Sequence, residues 1–397
     1  MKTIKEIKNL KNKKVLMRVG FNVPIGDSGI VNEKEDWRIR AALPMIEYLL
    51  EKEAKIILMG HLGRPELSQK PIKSKAHKVK SQKHSLRPVA RRLGELLDRE
   101  IKFVDDCVGN EAKDVALKMQ AGDIVLLENL RFYKQEEEND EEFAKNLAEL
   151  ADIYVNNAFS VSHRAHASVC AVTKFLPSYA GLLLEKEIKL LSEAIHNSKR
   201  PSTIIIGGAK AKTKLPVVKF VMDKFDHILV GGVVANVILK AKGIDTGKSL
   251  LGDVDLEEAK KIDLDNNKLY IPFDVIVCNS RIKRAELSPV GKIGDERILD
   301  IGPDTEELFS KIIADSETII WNGPMGKFEN ENFLSGTKKV AEAVVKSKGY
   351  KIVGGGDTIT ALDQLGYLDD IDYVCTGGGA MLVFLAGKKL PGIEALN

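Results

Sequence analysis

Arginine, histidine and glycine gather in this chain at one kind of place, the few residues that follow a short apolar run. In the first half, Gly20-Phe21-Asn22 follows Val15–Val19, His61-Leu62-Gly63-Arg64 follows Ile56–Met59, and Glu128-Asn129-Leu130-Arg131 follows Ile124–Leu127. After Ile153–Val155, Asn156-Asn157-Ala158-Phe159 runs on to His163-Arg164-Ala165-His166. The guanidinium fork matches carboxylate and phosphate oxygens two at a time, so converging Arg and His side chains suit a small, highly charged acid. In the second half the same positions read Gly207-Gly208-Ala209-Lys210, Gly231-Gly232, Asn322-Gly323-Pro324, Gly354-Gly355-Gly356-Asp357 and Thr376-Gly377-Gly378-Gly379. Glycine turns let backbone N–H groups approach a phosphate closely, and a helix starting there adds a favourable dipole, so this half suits a nucleotide.

Taken singly, each signal has a plainer reading: a Gly-Gly pair is a tight turn and a lone Arg a surface residue. His163 and His166 are spaced to share one helix face as zinc ligands, but no third ligand stands near them, and hydrogen bonding to an anion is the better use. Gly243-Ile244-Asp245-Thr246-Gly247-Lys248-Ser249 has three residues between its glycines where a P-loop needs four. Gly354-Gly355-Gly356-Asp357-Thr358-Ile359 lacks the last glycine of the dinucleotide fingerprint.

These residues need a scaffold, and the apolar runs supply one. Short β-branched and aliphatic segments alternate with amphipathic stretches, the pattern of parallel strands covered on both faces by crossover helices. Strands are expected at Val15–Val19, Ile56–Met59, Ile124–Leu127, Ile153–Val155, Ile204–Ile206, Ile228–Val230, Leu269–Ile271, Ile319–Trp321, Ile352–Val353 and Tyr373–Cys375. Leu183, Leu184, Ile188, Leu191 and Ile195 recur at helical spacing between Pro177 and Pro201, which predicts a connecting helix. The fold class is therefore α/β, and 397 residues suffice for two or three domains. A formal charge of +3 is too small over this length for a dedicated nucleic-acid binder. Cys107, Cys170, Cys278 and Cys375 are dispersed, which argues for a reducing cytoplasm rather than a disulfide framework. The N-terminus lacks the apolar core of a signal peptide, and the longest apolar stretch is too short to span a bilayer. Two charge runs remain, a basic one from Gln69 to Arg92 and an acidic one from Glu136 to Glu142; such blocks are expected in solvated loops.

The ordered set of motifs closely resembles the phosphoglycerate kinase family over essentially the whole chain. The matching segments are Arg18-Val19-Gly20-Phe21-Asn22-Val23-Pro24, His61-Leu62-Gly63-Arg64-Pro65, Leu127-Glu128-Asn129-Leu130-Arg131-Phe132, His163-Arg164-Ala165-His166, Gly207-Gly208-Ala209-Lys210, Trp321-Asn322-Gly323-Pro324, Gly355-Gly356-Asp357-Thr358, Thr376-Gly377-Gly378-Gly379 and Leu390-Pro391-Gly392. The resemblance implies two doubly wound parallel-sheet domains facing each other across a hinged cleft. Residues 1–181 would bind the acid, 182–199 connect, 200–388 bind nucleotide, and 389–397 return to the first domain.

By resemblance, Gly20, Phe21, Asn22, Arg38, His61, Leu62, Gly63, Arg64, Arg131 and Arg164 would hold 3-phosphoglycerate or its 1,3-bisphosphate, with His163 and His166 in support. Lys214, Asn322, Glu329, Gly355, Gly356, Asp357 and Thr358 would hold ATP or ADP, with Asp357 reaching it through Mg²⁺. Arg38, Lys210, Gly378 and Gly379 would neutralise the migrating phosphoryl group after hinge closure. A cytoplasmic monomer without membrane or nucleic-acid partners is implied. The chain departs from the family at Gly20 and Asn157, both usually aspartate, at Gly60, usually serine, at Ser160, usually glycine, and at Thr213, usually aspartate. Those departures keep two alternatives in view, a related kinase with another acid preference and a non-catalytic polyanion-binding homologue.

Overall fold

The computed structural model describes residues 1–26, 28–65, 82–279 and 284–397. The chain divides into two compact units, residues 1–188 with 389–397, and residues 189–388.

The first unit is built on a parallel sheet of β1 (Lys14–Arg18), β2 (Lys55–Met59), β3 (Lys102–Val104), β4 (Ile124–Leu127), β5 (Ile153–Asn156) and β6 (Ser178–Ala180), ordered β3-β4-β2-β1-β5-β6. Side chains of both faces are buried, as in Val15, Leu16 and Met17, which is why these strands read as continuous apolar runs rather than alternating ones. The chain winds outward from β1 through β2 and then returns to lay β5 on the other side of β1. That reversal opens a crevice at the carboxyl ends of β1 and β5, the usual ligand position in open α/β sheets. The C-terminal segment belongs to this unit; Leu390 and Leu396 are buried, and the Gly392 N–H donates to the Ser162 carbonyl at 2.9 Å.

The second unit contains β7 (Ser202–Ile206), β8 (His227–Val230), β9 (Leu269–Tyr270), β13 (Thr318–Asn322), β14 (Tyr350–Gly354) and β15 (Tyr373–Cys375), ordered β15-β14-β13-β7-β8-β9. Its reversal lies between β7 and β13. The helix α1 (Leu182–His196) begins in the first unit and ends in the second. Helices α2 (Ala211–Val221), α3 (Ser335–Lys346), α4 (Gly356–Gln364) and α5 (Gly378–Leu385) belong wholly to the second; α2, α4 and α5 start at the glycine turns that end β7, β14 and β15.

Four expectations need correction. Strands β10 (Asp274–Cys278), β11 (Ala285–Pro289) and β12 (Arg297–Ile301) form an antiparallel sheet, ordered β11-β10-β12, where only parallel strands were expected. Buried polar residues hide it: Asp274 sits inside because its carboxylate accepts the N–H groups of Asp304 and Thr305 at the start of the Pro303–Ala314 helix. The acidic run is not wholly solvated, since Glu136 is completely buried. His163 and His166 share no helix; they lie on a turn after the short 3₁₀ segment Phe159–Val161. Of the basic run, residues 66–81 lie outside the described residues, and its end forms the helix Arg87–Leu97, where Arg92 is buried against Asp36 at 2.8 Å.

Candidate active site

At the carboxyl ends of β1, β2, β4 and β5 the structure assembles a cationic cluster. His61 is buried, and its pKa is pushed well below the usual value, first by burial and then by the charges of Arg18, Arg131, Arg164 and His166. Burial, with Arg164 and His166 adding to it, pushes His163 down to about 4. Both imidazoles are therefore neutral near pH 7. Burial likewise lowers Arg131 to about 10, against the opposing pull of Glu137 at 3.1 Å. Cations packed closely enough to depress one another suit an added anion.

Backbone and side chain interlock here. Asn22 accepts from the Gly63 N–H through Oδ1 at 2.7 Å, and its carbonyl accepts from Arg38 Nη1. Arg131 donates to the Gly63 carbonyl at 2.7 Å, so the 61–64 turn, whose Gly63 has φ +63°, is clamped from both sides. The Arg38 Nε is buried and has no hydrogen-bond partner among the described residues. Arg64 is exposed, and Arg164 donates from Nε to His163 Nε2 at 3.3 Å. Phe21 and Leu62 point into the core, so only their backbones are available to a ligand.

In the second unit the glycine turns after β7, β8 and β13 touch backbone to backbone. A Cβ on Gly207 would stand 2.1 Å from the Pro324 carbonyl oxygen, and one on Gly232 would stand 2.6 Å from the Gly208 nitrogen. Their convergence leaves a cavity of ≈ 320 Å³ bounded by Gly208, Gly232, Leu299, Met325, Glu329 and Asp357. Lys214 rises beneath it from α2, donating to the Gly207 carbonyl and, at 3.4 Å, to that of Asn322. Burial pushes Lys214 down to about 8, while Asp357 pulls it up and Lys210 pushes it further down. Lys210 is exposed at the N-cap of α2, and Asp357 is exposed in the first turn of α4. Thr358 is fully buried and accepts the Gly323 N–H at 2.6 Å; it braces the turn rather than offering its hydroxyl outward. Asn322 is buried beside Gly355, whose φ of +102° only glycine adopts without strain.

Gly378 and Gly379 open α5 against the same turn, and a Cβ on Gly378 would stand 2.6 Å from the Gly355 Cα. Both partners are backbone, so neither can rotate away. Gly378→Ala is expected to cost about 1–3 kcal/mol of stability and to lower kcat/KM for nucleotide at least about ten-fold. Thermal unfolding and initial rates measure the two effects.

Residues the sequence reading did not single out also line these sites. Asp300, at the cavity wall, is buried against Gly326 and Gly336, accepts the Gly336 N–H at the start of α3 at 2.8 Å, and is pushed up to about 8 by burial. Arg18, Ser168 and Glu136 lie under the cationic cluster. The P-loop-like segment 243–249 follows the Gly232–Ala241 helix rather than a strand and is absent from the cavity lining.

The phosphoglycerate kinase family model matches residues 4–388. A curated relative named phosphoglycerate kinase from Desulfosudis oleivorans is 44% identical over 405 residues, covering 100% of this chain and 99% of the relative. One of the same name from Dictyoglomus turgidum is 44% identical over 406 residues, with the same coverage. Among solved structures, phosphoglycerate kinase from Coxiella burnetii is 39% identical with a TM-score of 0.82, covering 99% of this chain and 98% of its own. The enzyme from Pyrococcus horikoshii is 33% identical with a TM-score of 0.83, covering 100% and 98%.

Proposed function

The chain belongs to the phosphoglycerate kinase family, kinases that transfer a phosphoryl group to and from a carboxyl group, and from that premise we propose which residues carry the reaction. ATP or ADP is the co-substrate. The acid, 3-phosphoglycerate or 1,3-bisphosphoglycerate, binds the cationic cluster through Asn22, Arg38, His61, Arg64, Arg131 and Arg164, with backbone groups of Gly20, Phe21, Leu62 and Gly63. His163 and His166 support that cluster. The nucleotide binds at the cavity, whose wall carries Glu329 and Asp357, and at the adjoining Lys214, Asn322 and turn from Gly355 to Thr358. The observation that carries this reading is the division of chemistry, clustered arginines at the carboxyl ends of one parallel sheet and an apolar cavity edged by glycine turns at the other.

Phosphoryl transfer leaves a protein little covalent work, so positioning and neutralisation supply most of the rate. Arg38 and Lys210 neutralise the oxygens of the migrating group, and the N–H groups of Gly378 and Gly379 donate to it from a helix start. Bending at α1, which begins in one unit and ends in the other, brings the two substrates in line and excludes water.

Mg²⁺ suits this donor set. Among the described residues no three His, Cys, Asp or Glu side chains converge as a metal cage, yet Asp357 offers one carboxylate beside Lys214 at the cavity. A single carboxylate plus substrate phosphates is the habit of Mg²⁺, which would supply charge neutralisation there.

Among the described residues no helix is long and apolar enough to cross a membrane. The four thiols are free, which supports a reducing cytoplasm, and a monomer is the proposed state. The polyanion-binding alternative is not favoured.

The test is a coupled assay of purified protein with 3-phosphoglycerate and MgATP, in which turnover no greater than that of Arg38→Ala would reject the reading. Acid preference is tested at position 20. A Cβ on Gly20 would stand 2.9 Å from Ser160 Oγ, so two departures from the family face each other. Gly20→Asp combined with Ser160→Gly is expected to lower KM for 3-phosphoglycerate by up to about ten-fold, the worth of one hydrogen bond. An unchanged KM would mean that Gly20 does not set acid affinity.

A further inference from the structure

His61 is tethered from below by groups that can only leave it one tautomer. The Arg18 guanidinium, 1% exposed, brings Nη2 to 2.9 Å from His61 Nδ1. A guanidinium has donors and no acceptor, so Nδ1 must contribute its lone pair, and the proton of the neutral ring lies on Nε2. Arg18 is itself held. Its Nε donates to Ser168 Oγ at 2.9 Å and its Nη1 to the Val19 carbonyl. Ser168 Oγ donates in turn to Glu136 Oε1 at 2.6 Å, and the Ser168 N–H to Glu136 Oε2 at 2.9 Å.

Glu136 and Ser168 are completely buried, and the charge of Arg18 stabilises the carboxylate across the hydroxyl. Burial alone would raise Glu136; contact with His166, whose Nδ1 lies 3.7 Å from Oε1, the Arg18 charge and the Ser168 bonds outweigh it and bring the carboxyl below its ordinary value. A buried ion pair bridged by one hydroxyl is often no more stabilising than apolar packing of similar volume, so stability alone does not account for it.

We propose that Glu136, Ser168 and Arg18 form a positioning relay that fixes His61 in its Nε2–H tautomer, so that the ring meets an acid as a hydrogen-bond donor. The opposite tautomer would turn a lone pair toward the anion and repel it. Arg18, Ser168 and Glu136 touch no substrate in this scheme; they act through His61. The inference rests on the reading of the cationic cluster as the acid site.

The test uses the full chain labelled with ¹⁵N-histidine, His61 being assigned by His61→Gln. Two-bond ¹H–¹⁵N correlations are expected to show His61 protonated at Nε2 alone between about pH 6 and pH 8. Ser168→Ala removes both the Arg18 acceptor and the donor to Glu136. It is expected to give a mixture of tautomers and to raise KM for 3-phosphoglycerate about ten-fold, with kcat and nucleotide KM little changed. Ser168→Thr, which keeps the hydroxyl, restores both. A wild-type ring protonated at Nδ1, or a Ser168→Ala protein with the same tautomer and KM, overturns the relay. Should Ser168→Ala fail to fold, Ser168→Cys, whose thiol is a weak donor and acceptor, carries the same expectation, and an unchanged tautomer and KM there overturns the relay. Adding 3-phosphoglycerate separates the two layers of argument: a fixed tautomer whose resonances ignore the acid sinks the acid-site reading and leaves the relay standing.

Discussion

Arg38→Ala is expected to lower kcat by about 10²–10³-fold, equivalent to about 2.7–4 kcal/mol of lost transition-state stabilisation, while leaving the thermal midpoint close to that of the wild type. Arg38 Nη1 is committed to the Asn22 carbonyl, but Nε is buried with no partner among the described residues. Burial also pulls the guanidinium below its ordinary pKa, against the opposing charge of Glu187. A buried donor left without an acceptor costs about 1–3 kcal/mol in the free protein, and a ligand oxygen that develops charge during transfer would remove that cost. Deleting the side chain therefore removes a liability of the empty protein together with an asset of the reaction. Lysine at the same position keeps the charge but not the fork, so Arg38→Lys is expected to recover only part of the loss. Steady-state rates and unfolding curves check both claims; kcat within about three-fold of the wild type would remove Arg38 from the proposed chemistry.

The fold was legible wherever a strand is buried on both faces. Ile204, Ile205 and Ile206, or Ile124 through Leu127, announce themselves as unbroken apolar runs, and the residues that follow them gather at the carboxyl ends of the two parallel sheets. Two short edge strands and the antiparallel sheet with its buried polar groups escaped. Lys102–Val104 and Ser178–Ala180 are three-residue edge strands, and the antiparallel sheet holds Asp274, Ser288 and Asp300 in its interior. The site was legible as residue types but not as pairings. Arg18 and His61 are far apart in sequence, and only the register of β1 on β2, which sets Arg18 opposite Met59, brings them together. Glu136 was hidden by its neighbours: one buried carboxylate in a run of acids looks like all the others until Ser168 and Arg18 are found around it.

Lys214 provides the second large effect, and it is read through protons. Burial pushes its pKa from 10.5 down to about 8. At pH below about 8 the lysine is protonated in folded and unfolded chains alike, and the folded protein bears the full cost of burying an ammonium. Between about 8 and 10.5 the folded lysine is neutral while the unfolded one still holds its proton. The unfolded state then binds more protons, so this contribution raises stability with pH, by about 3 kcal/mol across the interval, and changes no further above it. Lys214→Met is expected to lack that rise in denaturant titrations taken at successive pH values.

The same physics links Lys214 to the nucleotide. Asp357 already pulls its pKa up, and a bound polyphosphate would do so more strongly. At about pH 8.5, nucleotide binding is therefore expected to draw in up to roughly three-quarters of a proton. Calorimetric titrations in buffers of different ionisation enthalpy measure that number directly. Lys214→Met should abolish the uptake and weaken nucleotide binding by about 10–100-fold, the worth of a hydrogen bond to a charged group. Binding heats that do not depend on the buffer, or a Lys214→Met protein that still takes up the proton, would show that the phosphates sit away from Lys214 and that the cavity receives its ligand in some other orientation.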